Sequence, residues 1–161
     1  MTLTTKKKKK PAVKAKVPRS KIRKARLLVV DDEVDFTKLI QTILTQEGYV
    51  VDTANSATQA IALQRKNAYD VALVDLRMPE MTGLELLQYL KARDKAIFLI
   101  LMTAYGSFSV GIEALRRGAC DYVAKPFKNK ALKEKVAEAL TRRHQYLEEQ
   151  HSIRHSSVDE L

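Results

Sequence analysis

The chain has 161 residues, 45% of them apolar, and a formal net charge of +10 at pH 7. That length suits one domain of ordinary size plus tails, and no apolar run approaches the ~18 residues of a membrane span or the core of a signal peptide. A lone cysteine, Cys120, excludes an internal disulfide framework and suits a reducing cytoplasm, and no Cys/His cluster has the spacing of a structural zinc site.

The charge is concentrated. Residues 1–26 hold twelve Lys/Arg and no acid, whereas the remainder holds 17 basic and 19 acidic residues and is close to neutral. Residues 1–25 have no apolar period, are dominated by Lys6–Lys10 and carry Pro11 and Pro18. Such a segment buries too little surface to offset its ordering entropy, so it is expected to be a disordered basic tail. Like charge in a block gives weak affinity for nucleic acid or another polyanion through counterion release. Without an aromatic residue it offers backbone contact only, not base stacking.

From Arg26 the pattern alternates. Leu27–Val30 reads as a short buried strand ending in Asp31-Asp32-Glu33, and Val34, Phe36, Leu39, Ile40, Ile43 and Leu44 follow at helical spacing, closed by Gly48. Tyr49–Ala54 is a second strand, and Ser56 is placed to cap a helix carrying Ala57, Ala60, Ile61 and Leu63. Asp70–Asp75 is a third strand, apolar throughout its middle, with Pro79 and Gly83 beyond it and an amphipathic helix on Leu84, Leu86, Leu87 and Leu90. Ile97–Met102 is a fourth strand ending at Thr103. Val110, Ile112, Ala114 and Leu115 mark a short helix closed by Gly118. Asp121–Ala124 is a fifth strand running into Lys125-Pro126-Phe127, and a last helix starts near Lys130 with Leu132, Val136, Ala139 and Leu140. Five strand–helix repetitions predict an α/β fold, doubly wound, with a five-stranded parallel sheet covered on both faces.

In such a sheet every strand's C-terminal end lies on one edge, where ligands bind. That edge receives Asp31 and Asp32, then Asp75, then Thr103, then Lys125. Each has an ordinary structural explanation alone, such as a turn Asp at a strand's end. Together, three crowded carboxylates ask for a hard divalent cation, for which Mg²⁺ is suited, and the hydroxyl and ammonium suit an oxyanion. A carboxylate nucleophile, a metal and a cation describe phosphoryl transfer onto an aspartate.

The motifs Val29-Val30-Asp31-Asp32-Glu33, Val74-Asp75-Leu76-Arg77-Met78-Pro79, Met102-Thr103-Ala104-Tyr105 and Asp121-Tyr122-Val123-Ala124-Lys125-Pro126-Phe127 resemble the receiver domain of two-component response regulators, nearest in motif to the nitrogen-regulator type. The resemblance covers roughly residues 26–145. It implies the flavodoxin-like (βα)5 fold, with Asp75 as phosphoacceptor for a phosphohistidine on a sensor histidine kinase or histidine phosphotransfer protein. It further implies Mg²⁺ on Asp31, Asp32, Asp75 and the backbone carbonyl of Arg77, with Thr103 and Lys125 on the phosphoryl group. Lys125-Pro126 is expected as a cis bond, and Tyr122 as an aromatic switch at the centre of a protein-docking face. Arg77 and Tyr105 match positions that tune phosphoryl lifetime, and their bulk is expected to slow hydrolytic water. The implied setting is cytoplasmic, the protein acting as a single-domain switch that catalyses only its own phosphorylation and dephosphorylation, read by a downstream protein.

Residues 146–161 are expected to be a frayed helical extension with a flexible tail, although a short dimerising helix, pairing two phosphorylated copies, remains open. His144, His151 and His155 are expected to be solvated there. Two other classes share parts of this pattern. In one the receiver gates nucleic-acid binding by the basic tail. In the other the chain is a phosphatase with an aspartyl-phosphate intermediate, which wants Asp-x-Asp after the first strand where this chain has adjacent Asp31-Asp32.

Overall fold

The structure, a computed structural model, describes residues 23–104 and 108–158. The Lys-rich run, Tyr105 and residues 159–161 lie outside the described residues.

Five strands alternate with five helices: β1 (Arg26–Val30), α1 (Val34–Gln46), β2 (Val50–Ala54), α2 (Ala57–Lys66), β3 (Val71–Asp75), α3 (Gly83–Arg93), β4 (Phe98–Thr103), α4 (Phe108–Arg116), β5 (Asp121–Ala124) and α5 (Asn129–Ser156). All strand pairs are parallel, in the order β2-β1-β3-β4-β5. The first strand lies inside the sheet, so the strand order reverses between β1 and β3, and the crevice at their carboxyl ends is where this architecture binds ligands.

The period-2 alternation of the strands separates two cores. Leu28, Val30, Ala72, Val74, Leu99 and Leu101 face α2, α3 and α4, packing with Ala60, Leu86, Leu87, Leu90 and Ala114. Leu27, Val29, Val71, Leu73, Ile100 and Met102 face α1 and α5, packing with Ile40, Ile43, Leu44, Leu132, Val136 and Ala139. β3 is buried along its whole length, as its aliphatic run requires of a central strand. Ser56 caps α2 by accepting from the Gln59 N–H, and Gly48 takes a φ of 94° after α1, conformations these residue types favour.

Not every apolar residue at helical spacing turns inward. Val34 and Leu39 on α1 and Leu115 on α4 are exposed, while Thr37 is buried, its hydroxyl donating to the Val34 carbonyl and accepting from Asn55. A local hydrogen bond lets a β-branched polar residue take the inward position, which composition alone does not reveal.

At the opposite edge from the crevice, the buried carboxylate of Asp70 gathers three chain segments. It accepts from Arg23 Nη2 at 2.7 Å and from the Arg26 N–H at 2.7 Å, and pairs with Arg143 Nη1 at 3.1 Å. Arg23–Ala25, expected to belong to the tail, are thus tied to the domain, Ala25 also accepting from the Val50 N–H. Arg143 is mostly covered and also donates to the Ala96 carbonyl. Asp70→Ala leaves a covered guanidinium and a backbone N–H without their acceptor and should cost about 2–4 kcal/mol in urea unfolding. Arg23→Ala, at a well-exposed partner, should cost under about 1 kcal/mol.

α5 runs unbroken past residue 145 to Ser156. At ~1.5 Å per residue its 28 residues span roughly 42 Å. The Tyr146 ring lies 6.0 Å from that of Phe98, so contact with the sheet continues at least that far.

Candidate functional site

The crevice where the strand order reverses, between β1 and β3, brings together what four of the strands deliver at their carboxyl ends. Asp31 is the residue after β1 and is completely buried. Its Oδ1 accepts from the Glu33 N–H, and its backbone N–H donates to the Ala54 carbonyl. Asp32, beside it, is exposed. Asp75 ends β3 and is 8% exposed, and Thr103 ends β4 and is buried. Lys125 follows β5. Its backbone N–H donates to the Thr103 carbonyl, and the Lys125-Pro126 bond is cis.

Lys125 Nζ donates to Asp31 Oδ2 at 2.5 Å and to Asp75 Oδ1 at 3.2 Å. The ammonium also sits over the Phe36 ring, 4.2 Å from its centroid, and Phe127 packs edge-on against Phe36. Burial alone would lower the Lys125 ammonium, but hydrogen bonding and charge from Asp31, then Asp75, outweigh it and hold it above its ordinary range. Asp75 moves the other way. Burial first, then the charge of Asp31, raise its carboxyl to about 6 against the attraction of Lys125.

Asp31, Asp32 and Asp75 each offer a carboxylate oxygen, and those atoms lie within 4.8 Å of one another. Three carboxylates against one ammonium leave two negative charges unbalanced. With one acid exposed and the cleft open to solvent, the donor set fits a hard divalent cation such as Mg²⁺ that keeps some of its waters. Asp32, Asp75, Arg77, Thr103 and Lys125 line the same cleft, and the Arg77 side chain is exposed at its rim.

Each sequence-predicted site residue among those described therefore stands in or beside one cleft, except Tyr122, which lies farther along β5. Its half-buried ring rests against α4 at Gly111, where an added Cβ would stand 2.5 Å from Cε1 and 2.9 Å from Cζ. Gly111 thereby makes the slot the ring occupies. Gly111→Ala should displace the ring toward solvent at a cost of only ~1 kcal/mol, because a side chain can yield where backbone cannot. Tyr122 ring resonances in the NMR spectrum are the readout.

Sequence reasoning missed Phe36, counted there as a core residue, and Asn55, whose Nδ2 donates to the Asp31 carbonyl at 2.9 Å and to Thr37 Oγ1 at 3.0 Å. Asn55 follows β2, so inspecting all five strand ends would have reached it. No comparable signal marks Phe36.

A doubly wound fold with an acidic, lysine-bridged crevice at its topological switch point places the chain in the class of flavodoxin-like α/β domains. Comparison with known proteins specifies it further. The sequence model of the response regulator receiver domain matches residues 27–137, and the chain belongs to that family. The transcriptional regulatory protein ZraR of Escherichia coli (strain K12) is 40% identical over 118 residues, covering 73% of this chain and 27% of that protein. The response regulator protein PilR of Pseudomonas aeruginosa is 36% identical over 122 residues, covering 76% and 27%. The chain thus spans about a quarter of the length of these relatives. Among solved structures, a CheY-like receiver domain protein from Methanospirillum hungatei JF-1 superposes with a TM-score of 0.74 at 31% identity, covering 77% of this chain and 99% of that one. NtrX from Brucella abortus, in complex with ATP, superposes with a TM-score of 0.76 at 32% identity, covering 80% and 29%. Among the described residues no helix is long and apolar enough to cross a membrane.

Proposed function

We propose that this chain is a phosphorylation switch, taking a phosphoryl group on Asp75 from a phosphohistidine of a sensor histidine kinase or histidine phosphotransfer protein. The observation that carries this is the buried Asp75 carboxylate, joined to Asp31 through Lys125 in a cleft with two further oxygen donors, Asp32 and Thr103. At neutral pH a carboxyl near 6 is mostly ionised, so Asp75 is a competent nucleophile. One of its oxygens attacks phosphorus, the bond from phosphorus to the donor's imidazole nitrogen breaks, and the imidazole leaves with the electron pair.

Asp31, Asp32, Asp75 and the Arg77 carbonyl would hold Mg²⁺, which when bound neutralises charge on the phosphoryl oxygens. Lys125, already within reach of Asp75, pairs with one such oxygen, and the Thr103 hydroxyl donates to another. Phe36 beneath Lys125 and Asn55 behind Asp31 keep these groups in place. Movement of Thr103 toward the phosphoryl group draws on Tyr122, and the face formed by α4, β5 and α5 changes with it, a bistable element biased by a local charge event. A partner protein reads that face. Arg77 at the rim slows the water that hydrolyses the acyl phosphate. The chain acts on itself alone, with no external substrate turned over, in a cytoplasmic setting.

Twelve Lys/Arg without an acid in residues 1–26 support weak polyanion affinity in addition, an inference from charge only. Transfer from a ³²P-labelled histidine kinase domain tests the main reading. Label should pass to the wild type in Mg²⁺ and fail to pass with chelator, with Asp75→Asn or with Lys125→Ala. Equal labelling of Asp75→Asn would contradict it.

A further inference from the structure

Beyond residue 26 the chain is close to neutral, but its charge is not evenly spread. The carboxylates of the crevice lie at the strands' carboxyl ends, and at the other ends the sign reverses. The Asp70 N–H donates to the Arg26 carbonyl and the Phe98 N–H to the Asp70 carbonyl, so β1, β3 and β4 begin side by side. Each crossover helix runs back to that edge. There α2, α3 and α4 close with basic residues in their last turns, Arg65 and Lys66, Lys91 and Arg93, and Arg116. The five residues of β3, at ~3.3 Å each, put about 17 Å between this edge and Asp75.

Cations at helix C-termini offset a partial charge of about −0.5 per helix. Here they exceed it. Lys24, Arg65, Lys66, Arg93, Lys95 and Arg116 are exposed, and none pairs with a carboxylate among the described residues. Nearby acids are already engaged, Asp52 by Arg26, Asp70 by Arg23 and Arg143, and Glu113 by Arg117. Asp94 accepts from the Ala96 N–H. A groove of about 380 Å³ between the ends of α2 and α3 is lined by Arg65, Lys66, Asn67, Arg93 and Asp94. Hydrogen bonding to Arg65, aided by Arg93, outweighs burial and holds the Tyr89 phenol below its ordinary range. Two guanidiniums from different helices thus already converge on one oxygen. Ala68, also in the groove's wall, is two residues from Asp70, the carboxylate that anchors Arg23. Residues 1–22, with nine Lys/Arg and no acid, join the domain at Arg23.

We propose that this edge, with the α2–α3 groove at its centre and the basic tail joined to it, binds the phosphate backbone of a nucleic-acid duplex. Guanidinium forks match phosphate oxygens, and Lys66 adds a point charge beside them. None of the exposed large apolar side chains lines the groove, whereas a membrane-docking face sets its cations beside apolar anchors. Phosphate contacts carry no sequence information, so binding is independent of base sequence. The polyanion affinity inferred for the tail gains a structured counterpart, with its cations held on helix ends. This extends the tail reading and is independent of the chemistry at Asp75, because the crevice occupies the opposite edge.

Fluorescence anisotropy of the full chain with a labelled DNA duplex, titrated at several salt concentrations, tests this. Combining Arg65→Ala, Lys66→Ala and Arg93→Ala should weaken binding at least ~10-fold at about 0.1 M salt. It should also flatten the log–log salt slope by about 2–3, near one per lost phosphate contact. Combining Lys38→Ala, Lys128→Ala and Lys130→Ala removes equal charge from the crevice side and should leave the slope as in the wild type. Asp75→Asn should bind as the wild type does. The substituted basic residues are all exposed, and urea midpoints verify that both triple variants are folded. Equal slopes in the two triple variants would assign binding to the tail alone and overturn the proposal. So would no duplex binding by the wild type, or tighter binding to phosphatidylserine vesicles than to the duplex.

Discussion

Asp75→Asn should make the metal-free protein more stable at pH 7.5, by about 1–3 kcal/mol, while ending phosphoryl uptake altogether. The reason is the environment of the Asp75 carboxyl. Its carboxyl is nearly buried and faces Asp31, so it titrates at about 6 in the fold instead of the ordinary 3.8. That gap corresponds to about 3 kcal/mol of disfavoured ionisation. The sign follows from proton linkage. Between pH 4 and 6 the folded protein holds a proton on Asp75 that the unfolded chain has released, so folding is favoured as pH falls through that window and disfavoured as pH rises out of it. The amide has no charge to lose, so the difference between the two proteins should be widest above pH 7 and close as the pH drops toward 4. Mg²⁺ should close it from the other side, since a cation bound at 100 times its dissociation constant stabilises the folded state by about 2.7 kcal/mol. Urea unfolding of both proteins across pH 4–7.5, with and without Mg²⁺, measures each part.

Gly83→Ala should be the most damaging single-methyl change near the site. Gly83 opens α3, and its N–H donates to the Leu76 carbonyl at 2.8 Å, folding the loop after Asp75 back beneath it. A Cβ there would stand 2.1 Å from the Asp75 carbonyl oxygen and 2.8 Å from both the Asp75 carbonyl carbon and Leu76 Cα. All three are backbone atoms, with no side chain free to yield, so either the helix start or the end of β3 must move. A stability loss of about 3 kcal/mol is expected, at the upper end of overpacking costs. Because the displaced atoms belong to Asp75, the proposed nucleophile, phosphorylation should slow by roughly 100-fold even where the protein is folded, as ångström-scale misplacement of a reacting group does. Thr82→Ala provides the contrast. Thr82 and Glu85 form a reciprocal capping box at the same helix end, and its loss should cost about 1 kcal/mol without moving Asp75. Phosphorylation rates of the two variants at matched folded fraction separate a general weakening of α3 from displacement of the nucleophile.

The fold was legible because its signals are local and repeated. Aliphatic runs of strand length alternated with amphipathic stretches, and the acidic, hydroxyl and ammonium residues recurred at the strands' C-terminal ends. A parallel sheet turns that recurrence into proximity, which is why Asp31, Asp75, Thr103 and Lys125 could be grouped before any distance was known. What lay beyond reach was tertiary detail. Arg143 finds Asp70 across 73 residues of chain, a pairing no periodicity encodes. Leu39 was assigned to the α1 stripe but faces solvent because Thr37 takes an inward position with Asn55. Phe36 looked like ordinary core and proves to support the Lys125 ammonium from below. The contact that seats Tyr122 depends on what Gly111 lacks, and a missing methyl leaves no mark in a hydrophobic pattern.

The central claim is that Asp75 carries a phosphoryl group. Incubating the full chain with Mg²⁺ and a small-molecule phosphodonor, then trapping the acyl phosphate by borohydride reduction and mapping it by peptide mass spectrometry, tests it most directly. The account predicts a modification that requires Mg²⁺, is labile to base, and maps to the Asp75 peptide, disappearing in Asp75→Asn. Failure of the folded wild type to form any acyl phosphate, or its persistence at another residue with Asp75 replaced, would contradict it.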